Sequence, residues 1–320
     1  RVKNLKKNWN LLELFFNLTQ MNDVIRIGTR DSKLALWQAN HAKYKFEKLN
    51  IPAEIIKIKS EGDLNQITPL YEFGVTGIFT KNLDQALLNN EIDIAVHSLK
   101  DIPIQPAKGI KIGCVFKRAS PYDVLVFKEK EIDFSQKLII ATSSIRRKCQ
   151  WLNKYPNHKI EILRGNVDTR LEKLKTNRWD GAIFAQAGLE RLDTNIKELL
   201  KLKWMIPSAA QGTIALATRE KEEKIKEILK KVNCKETMHC VTQERIFLKL
   251  MGGGCSMPIS AHAYFKGEKL ILKTNICSIN HKNSITDISD YRKNDIEAGL
   301  KSYNKILKMG ADEILKSNLT

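Results

Sequence analysis

Three short runs carry residues whose types and spacing could do chemistry. In GGGCSMPI at 252–259, Cys255 sits on a loop so rich in glycine that backbone and thiol are open to a large ligand. A thiol there can act as a nucleophile or covalent anchor, or be an ordinary structural cysteine, because reactivity depends on its pKa and exposure. In HSLKDIP at 97–103, an apolar stretch ends on Ser98, Lys100 and Asp101. A carboxylate beside a cation is a candidate acid or charge stabiliser, and equally a common surface pair of little worth. In ATSSIRRK at 141–148, Thr142, Ser143 and Ser144 lead into a helix start with Arg146 and Arg147 just inside. Unsatisfied helix N–H groups favour anions and arginine grips carboxylates in a bidentate fork. A Ser N-cap followed by two exposed arginines is the plainer alternative. Positive charge in a helix's first turn opposes the dipole, however, so these arginines are expected to have another task.

Further cations follow the same plan. LRGNVDTR at 163–170 adds Arg164 and Arg170, Arg191 lies in the AGLERL turn, and Arg30 with Ser32 follows the first apolar run. Together these strand ends describe a cleft for a ligand with many carboxylates or phosphates. They lack the GxxxxGKS of a nucleotide P-loop and the GxGxxG of a dinucleotide fold. The chain carries 54 Lys plus Arg against 36 Asp plus Glu, a net +18, which draws in polyanions without choosing among them. Nucleic-acid binding rests on that charge alone: aromatic residues are 7% and no recognition motif is present. A non-catalytic, two-lobed anion-binding protein would explain the arginines but would need neither Asp101 nor Cys255.

These residues need elements to position them, and 320 residues suffice for two or three domains. The spacing predicts strands at 24–28, 53–60 and 92–98 alternating with helices at 32–49 and 77–90, hence a largely parallel sheet. After the break SPYD at 120–123, strands at 137–144 and 159–165 and a strand with a short helix at 179–192 open a second α/β unit. Residues 206–220 read as a strand that could return to the first sheet. A Lys/Glu helix at 220–231 follows, then a third unit: a helix at 242–251, the Gly-rich loop, strands near 259–265 and 269–277, and a helix near 295–316. The expected fold is α/β, with two periplasmic-binding-protein-like (type II) lobes, a cleft between them and a smaller α+β C-terminal domain. The expected domains are 22–118 plus 207–222, 119–206 and 233–320. Ligands of open parallel sheets bind beyond the carboxyl ends of strands, where the unusual residues fall.

Residues 1–21, with Lys3, Lys6 and Lys7 ahead of LLELFF, read as an extension that is either plain or a targeting remnant. The expected location is the cytoplasm or a plastid-type organelle. No apolar run approaches the roughly 20 residues that span a bilayer, so no membrane role is expected. Six scattered cysteines without a CxxC suggest a reduced compartment, and the spacing of Cys234, His239 and Cys240 is not that of a metal site.

From about Val24 to Leu315 the chain resembles the porphobilinogen deaminases, also called hydroxymethylbilane synthases. The resemblance lies in RIGTRDSKLALWQ, AVHSLKDIP, ATSSIRRKCQ, LRGNVDTRLEKL, AQAGLERL and GGGCSMPI, which follow the family's order and approximate spacing. It implies a transferase of haem and tetrapyrrole biosynthesis that is expected to be a monomer, to bind neither nucleic acid nor metal, and to take porphobilinogen as its small-molecule substrate. Four substrate units would be condensed head to tail, with loss of ammonia, on a dipyrromethane cofactor thioether-linked to Cys255. Hydrolysis would then release the linear tetrapyrrole. Asp101 matches the family's catalytic aspartate, which stabilises the azafulvene cation and moves protons. Arg30, Ser32, Ser98, Lys100, Thr142, Ser143, Ser144, Arg146, Arg147, Arg164, Arg170, Arg191 and Gln211 would meet the acetate and propionate groups. The chain departs from the family pattern at Thr76 in EFGVTGIF (72–79), where a Lys is frequent. It also departs at Lys33, in place of a frequent Pro or Gln, and at Ala210, where Gly usually precedes Gln211.

Overall fold

The computed structural model describes residues 24–59, 80–128, 131–253 and 257–318. The expectations for residues 1–21, for the 72–79 loop and for Cys255 itself lie outside the described residues.

The first lobe is laid down by β1 (Ile25–Thr29), α1 (Lys33–Glu47), β2 (Ala53–Lys57), α2 (Lys81–Leu88), β3 (Ile94–Ser98), a 3-10 turn (Leu99–Asp101) and β4 (Ile110–Val115). The chain then crosses to a second lobe built from β5 (Asp123–Phe127), β6 (Ile139–Ala141), α3 (Ile145–Lys154), β7 (Lys159–Glu161), α4 (Val167–Thr176), β8 (Gly181–Ala185), α5 (Gln186–Arg191) and β9 (Leu199–Lys201). It returns to add β10 (Ile214–Arg219) and α6 (Glu223–Val232) to the first lobe. A third unit holds α7 (Lys235–Leu250), β11 (Ile259–Lys266), β12 (Lys269–Cys277), β13 (Ser284–Arg292), α8 (Ala298–Lys308) and α9 (Ala311–Ser317).

The two lobes share one plan, with sheet orders β2-β1-β3-β10-β4 and β7-β6-β8-β5-β9. In each, three strands run parallel and the strand that has just crossed from the other lobe enters antiparallel. The direction follows from the crossing. Ile214 at the start of β10 lies opposite Ser98 at the end of β3, and Asp123 at the start of β5 lies opposite Ala185 at the end of β8. The carboxyl ends of β3 and β8 therefore meet the crossing segments, and the residues there face the junction of the lobes. Both strands are buried over most of their length, as sheets covered by helices on both faces require. The return of 206–220 to the first sheet is as expected, although only its second half is strand. Ile225, Ile228 and Leu229 of α6 extend the first lobe's core beyond residue 222.

Other elements differ from expectation for local reasons. Helix α7 starts at Lys235, well before 242, because Thr237, Cys240 and Val241 already bury a face. The final helix is two, broken at Gly310, whose φ of 94° no helix interior allows. Strand β13 was not anticipated because, as the edge of a three-stranded antiparallel sheet, it exposes most of its side chains and shows little apolar density. No helix among the described residues is long and apolar enough to cross a membrane.

One buried ion pair ties the three units together. Glu244 of α7 is fully buried and accepts from Arg118 Nη1 at 2.5 Å and Nη2 at 3.1 Å, from Ala210 N at 2.6 Å and from Ala263 N at 2.6 Å. Arg118 lies on the outgoing crossing and Ala210 on the returning one; Arg118 Nε also donates to Gln211 O at 2.8 Å. Ala210 holds a left-handed φ of 62°, which costs an L-residue roughly 1–2 kcal/mol and which a glycine would adopt freely. The bond from its N–H to Glu244 fixes it there. Removing one partner of such a pair strands a buried charge, so Glu244→Ala should lose about 3–5 kcal/mol of stability. The denaturation midpoint of the intact chain checks this, and a shift no larger than that of a surface Glu→Ala control would contradict it.

Candidate functional site

The turn that carries Asp101 is held from beneath by apolar packing. Leu99 and Ile102, on either side of the Lys100–Asp101 pair, are buried with Val115, Ala210, Ala215 and Val241. This leaves Asp101 exposed and Lys100 half-buried. The Lys100 ammonium is brought down to about 8, by burial first, with Asp101 and Asp123 pulling it up and Arg147 and Arg146 pushing it down. Two elements of different lobes are thus within electrostatic reach of one lysine. Ser98 accepts from Gln38 Nε2 at 2.9 Å. His97 is buried and held down to about 4, by burial first and by the charge of Arg30 second.

The second lobe supplies the opposite wall. Ser144 caps α3, accepting from Arg147 N at 3.5 Å, while Thr142 Oγ1 accepts from Ser144 N at 3.3 Å. Ser143 Oγ donates to Leu163 O at 2.8 Å and accepts from Leu163 N at 3.0 Å. Arg146 and Arg147 do not point out as free cations. Both meet Asp123, with Arg146 Nη1 2.8 Å from Oδ2 and Arg147 Nη2 2.8 Å from Oδ1. Arg146 also donates to Ile206 O and Arg147 to Ile183 O. Gln211 Nε2 donates to Asp123 Oδ1 at 3.0 Å and to Pro121 O at 2.7 Å. Burial would raise the Asp123 carboxyl, but the charges of Arg146 and Arg147 and the hydrogen bonds of Arg146 and Gln211 outweigh it and bring it to about 2. Two guanidiniums share one carboxylate, so the cluster keeps an excess positive charge.

Arg164 and Arg170 add to that excess. Arg164 is buried, and among the described residues its Nε has no hydrogen-bond partner. Arg170 Nε donates to Gly165 O at 2.7 Å. Burial brings the Arg170 guanidinium down to about 10, with Arg147 and Arg164 lowering it and Asp101 opposing them. Lys100, Asp101, Arg146, Arg147, Arg164 and Arg170 therefore act on one another across the junction. Arg191 stands apart: its Nη2 donates to Gly212 O at 2.7 Å, its guanidinium lies 5.7 Å over the Trp37 ring, and burial pushes it to about 10. Ser32 is spent as the cap of α1, accepting from Ala35 N at 3.3 Å. Lys33, beside it, reaches Asp168 of α4 at 3.0 Å, joining the lobes at the surface.

Helix α7 brings in the third unit. It ends with Gly252 at φ 66°, Gly252 N bonding Lys249 O at 3.1 Å and Gly253 N bonding Leu248 O at 2.9 Å. A side chain at Gly253 would come within 2.4 Å of Leu248 Cδ1 and 3.0 Å of Leu248 O, so the close turn into the Cys255 loop requires glycine. The thiols of Cys114, Cys149 and Cys240 are buried and pushed up to about 12, which excludes them as nucleophiles at neutral pH.

Sequence reasoning did not single out Asp123, Arg118, Glu244 or Arg245. Asp123 alone left a signal, as an acidic residue immediately before the apolar run VLVF.

The chain is similar to known proteins along most of its length. Residues 25–227 match the family model described as porphobilinogen deaminase, dipyromethane cofactor binding domain, and residues 238–308 match porphobilinogen deaminase, C-terminal domain. A probable porphobilinogen deaminase of Methanocaldococcus jannaschii is 45% identical over 253 residues, covering 78% of this chain and 86% of its own. The porphobilinogen deaminase of Geobacter metallireducens is 37% identical over 297 residues, covering 91% and 93%. Among solved structures, the periplasmic VFT2 domain of Bordetella pertussis BvgS superimposes with a TM-score of 0.41 at 14% identity, covering 65% of this chain and 86% of that one.

The position of Lys100 has a measurable consequence. With its ammonium near 8, the free protein loses one cleft cation as pH rises through that value, so kcat/KM for a carboxylated ligand should fall there. In Lys100→Arg, which stays charged, the fall should vanish. The same break near pH 8 in wild type and Lys100→Arg would refute the assignment.

Proposed function

Because the chain belongs to the porphobilinogen deaminase family, we propose that it is a hydroxymethylbilane synthase of tetrapyrrole biosynthesis. It condenses four porphobilinogen molecules head to tail, releasing ammonia, and frees the linear tetrapyrrole by hydrolysis. The observation that carries this reading is one exposed carboxylate, Asp101, on a packed turn that faces a surplus of buried cations from the other lobe.

The residues present suit a dipyrromethane cofactor on Cys255. Arg164 Nε meets no acceptor among the described residues, and burial and then neighbouring second-lobe arginines hold Lys100 and Arg170 down, so the site favours anions, and each pyrrole brings an acetate and a propionate. When bound, the dipyrromethane supplies the free pyrrole terminus to which the first substrate unit is joined. Lys100, Arg164 and Arg170 hold carboxylates directly. Arg146, Arg147 and Gln211 do so while anchored on Asp123, and Thr142, Ser143 and Ser144 shape the helix start beside them. Arg30, Ser32, Ser98 and Arg191 serve the first lobe's side. Asp101 offers its carboxylate to the positive charge that grows on the substrate's aminomethyl carbon as ammonia leaves. It then carries the proton released when the new carbon–carbon bond forms.

Intact mass tests the anchor and steady-state turnover tests the acid. The purified protein should exceed its sequence mass by one dipyrromethane, and Cys255→Ser should lose the addition. Asp101→Asn should keep it but turn over roughly 10²–10⁴-fold more slowly. An active protein of unmodified mass would sink the primer; near-normal turnover in Asp101→Asn would sink the acid.

A further inference from the structure

Immediately after Glu244, Arg245 of α7 spreads its guanidinium over the backbone that follows the Asp101 turn. Nη1 donates to Ile102 O at 3.1 Å and, at the limit of reach, to Leu99 O at 3.5 Å; Nη2 donates to Pro103 O at 2.6 Å and Ile104 O at 3.2 Å. Asp101 lies between the first and last of these carbonyls. Among the described residues Arg245 has no carboxylate partner, and burial alone lowers its guanidinium. A half-buried cation satisfied only by carbonyl dipoles is an expensive way to fill space, which a methionine or leucine would fill without desolvating a charge. The planar fork reaching several carbonyls at once is what arginine alone provides.

The gripped segment needs such a donor. Residues 102–109 belong to no strand, and Pro103 and Pro106 have no N–H to offer a ladder. Below the turn, Leu99 and Ile102 pack on Val241, one helical turn before Arg245 on α7. The same helix therefore fixes the Asp101 turn by apolar contact and by charge-assisted hydrogen bonds, and runs on to Gly252 and the loop of Cys255.

We propose that Arg245 is a positioning residue for Asp101, holding the turn that carries the carboxylate fixed against α7; this rests on the reading of Asp101 as the acid. It touches neither substrate nor cofactor and acts through the backbone of 99–104. Small displacements of a catalytic group cost roughly 10²-fold in rate, and that is the expected loss of kcat in Arg245→Ala, with KM little changed. Arg245→Lys, which keeps the charge but not the fork, should recover only part of it.

The experiment compares wild type, Asp101→Asn, Arg245→Ala, Arg245→Lys and the Asp101→Asn/Arg245→Ala double variant, each after intact mass has shown the dipyrromethane in place. If Arg245 works through Asp101, the double variant is no slower than Asp101→Asn alone, because a misplaced acid that is already absent costs nothing more. Amide hydrogen exchange should also quicken at 99–105 in Arg245→Ala and not in Asp101→Asn. If Arg245→Ala fails to fold, Arg245→Lys takes its place in the cycle with a smaller loss. A double variant slowed by both factors in full, unchanged exchange at 99–105, or wild-type kcat in Arg245→Ala would each overturn the role while leaving Asp101 as the acid. Near-normal turnover in Asp101→Asn would remove the acid and this role together.

Discussion

Glu244 is the point on which the three units converge. Its carboxylate has no solvent exposure, and the hydrogen bonds it accepts come from three different stretches of chain: the outgoing crossing at Arg118, the returning crossing at Ala210, and the third unit's own β11 at Ala263. A buried charge tolerates no missing partner. The carboxylate therefore enforces the relative placement of segments far apart in sequence, and apolar packing alone would fix that placement less sharply, since it is non-directional. The left-handed Ala210 shows the strength of the constraint: a conformation disfavoured for alanine persists because its N–H is claimed.

Asp123 does for the cleft what Glu244 does for the junction. Arg146 and Arg147 would repel each other in a buried wall, and each would lose its hydration. Asp123 between them, with Gln211 donating to it from the returning crossing, makes the pair tolerable and orients both guanidiniums. The compensation is partial, because Arg170 is still held down by burial and then by the charges of Arg147 and Arg164. Strong binding of a polyanion requires such under-compensation. A wall with every cation paired would have no electrostatic reason to take up carboxylates.

What could be read from the sequence and what could not divides along physical lines. Asp101, Lys100 and the arginine runs were legible because each sits at the end of an apolar strand, where short-range pattern and the geometry of open sheets agree. The six motifs that carry the family resemblance are local strings of this kind. Asp123, the Arg118–Glu244 pair and Arg245 were not legible, since their meaning lies in partners about 24 to 146 positions away that no periodicity reveals. The same blindness affected roles: Ser32 and Ser144 are caps, and Arg146 and Arg147 are held by Asp123, uses that the same motifs could not distinguish from open ligand contacts. Strand β13 escaped for another reason, because an exposed edge strand has too few buried positions to show its alternation.

The placement of these groups on different units bears on how one acid could serve a lengthening chain. Asp101 and the root of the Cys255 loop are both tied to α7, through Arg245 and Val241 at one end and Gly252 at the other. Arg146, Arg147, Arg164 and Arg170 belong to the second lobe, which meets the other units through the two crossings, through Arg191 on Gly212 and Trp37, through the buried Gln150–Ser260 hydrogen bond at 2.8 Å and, at the surface, through the exposed Lys33–Asp168 pair, worth about 1 kcal/mol at most. On the proposed reading, a shift of the second lobe would have to loosen these contacts to carry its cations past Asp101, which stays tied to α7. An acid fixed to α7 and cations on a separate lobe would, on the proposed reading, suit the two demands of repeated condensation, constant chemistry at one end and advancing anions along the wall.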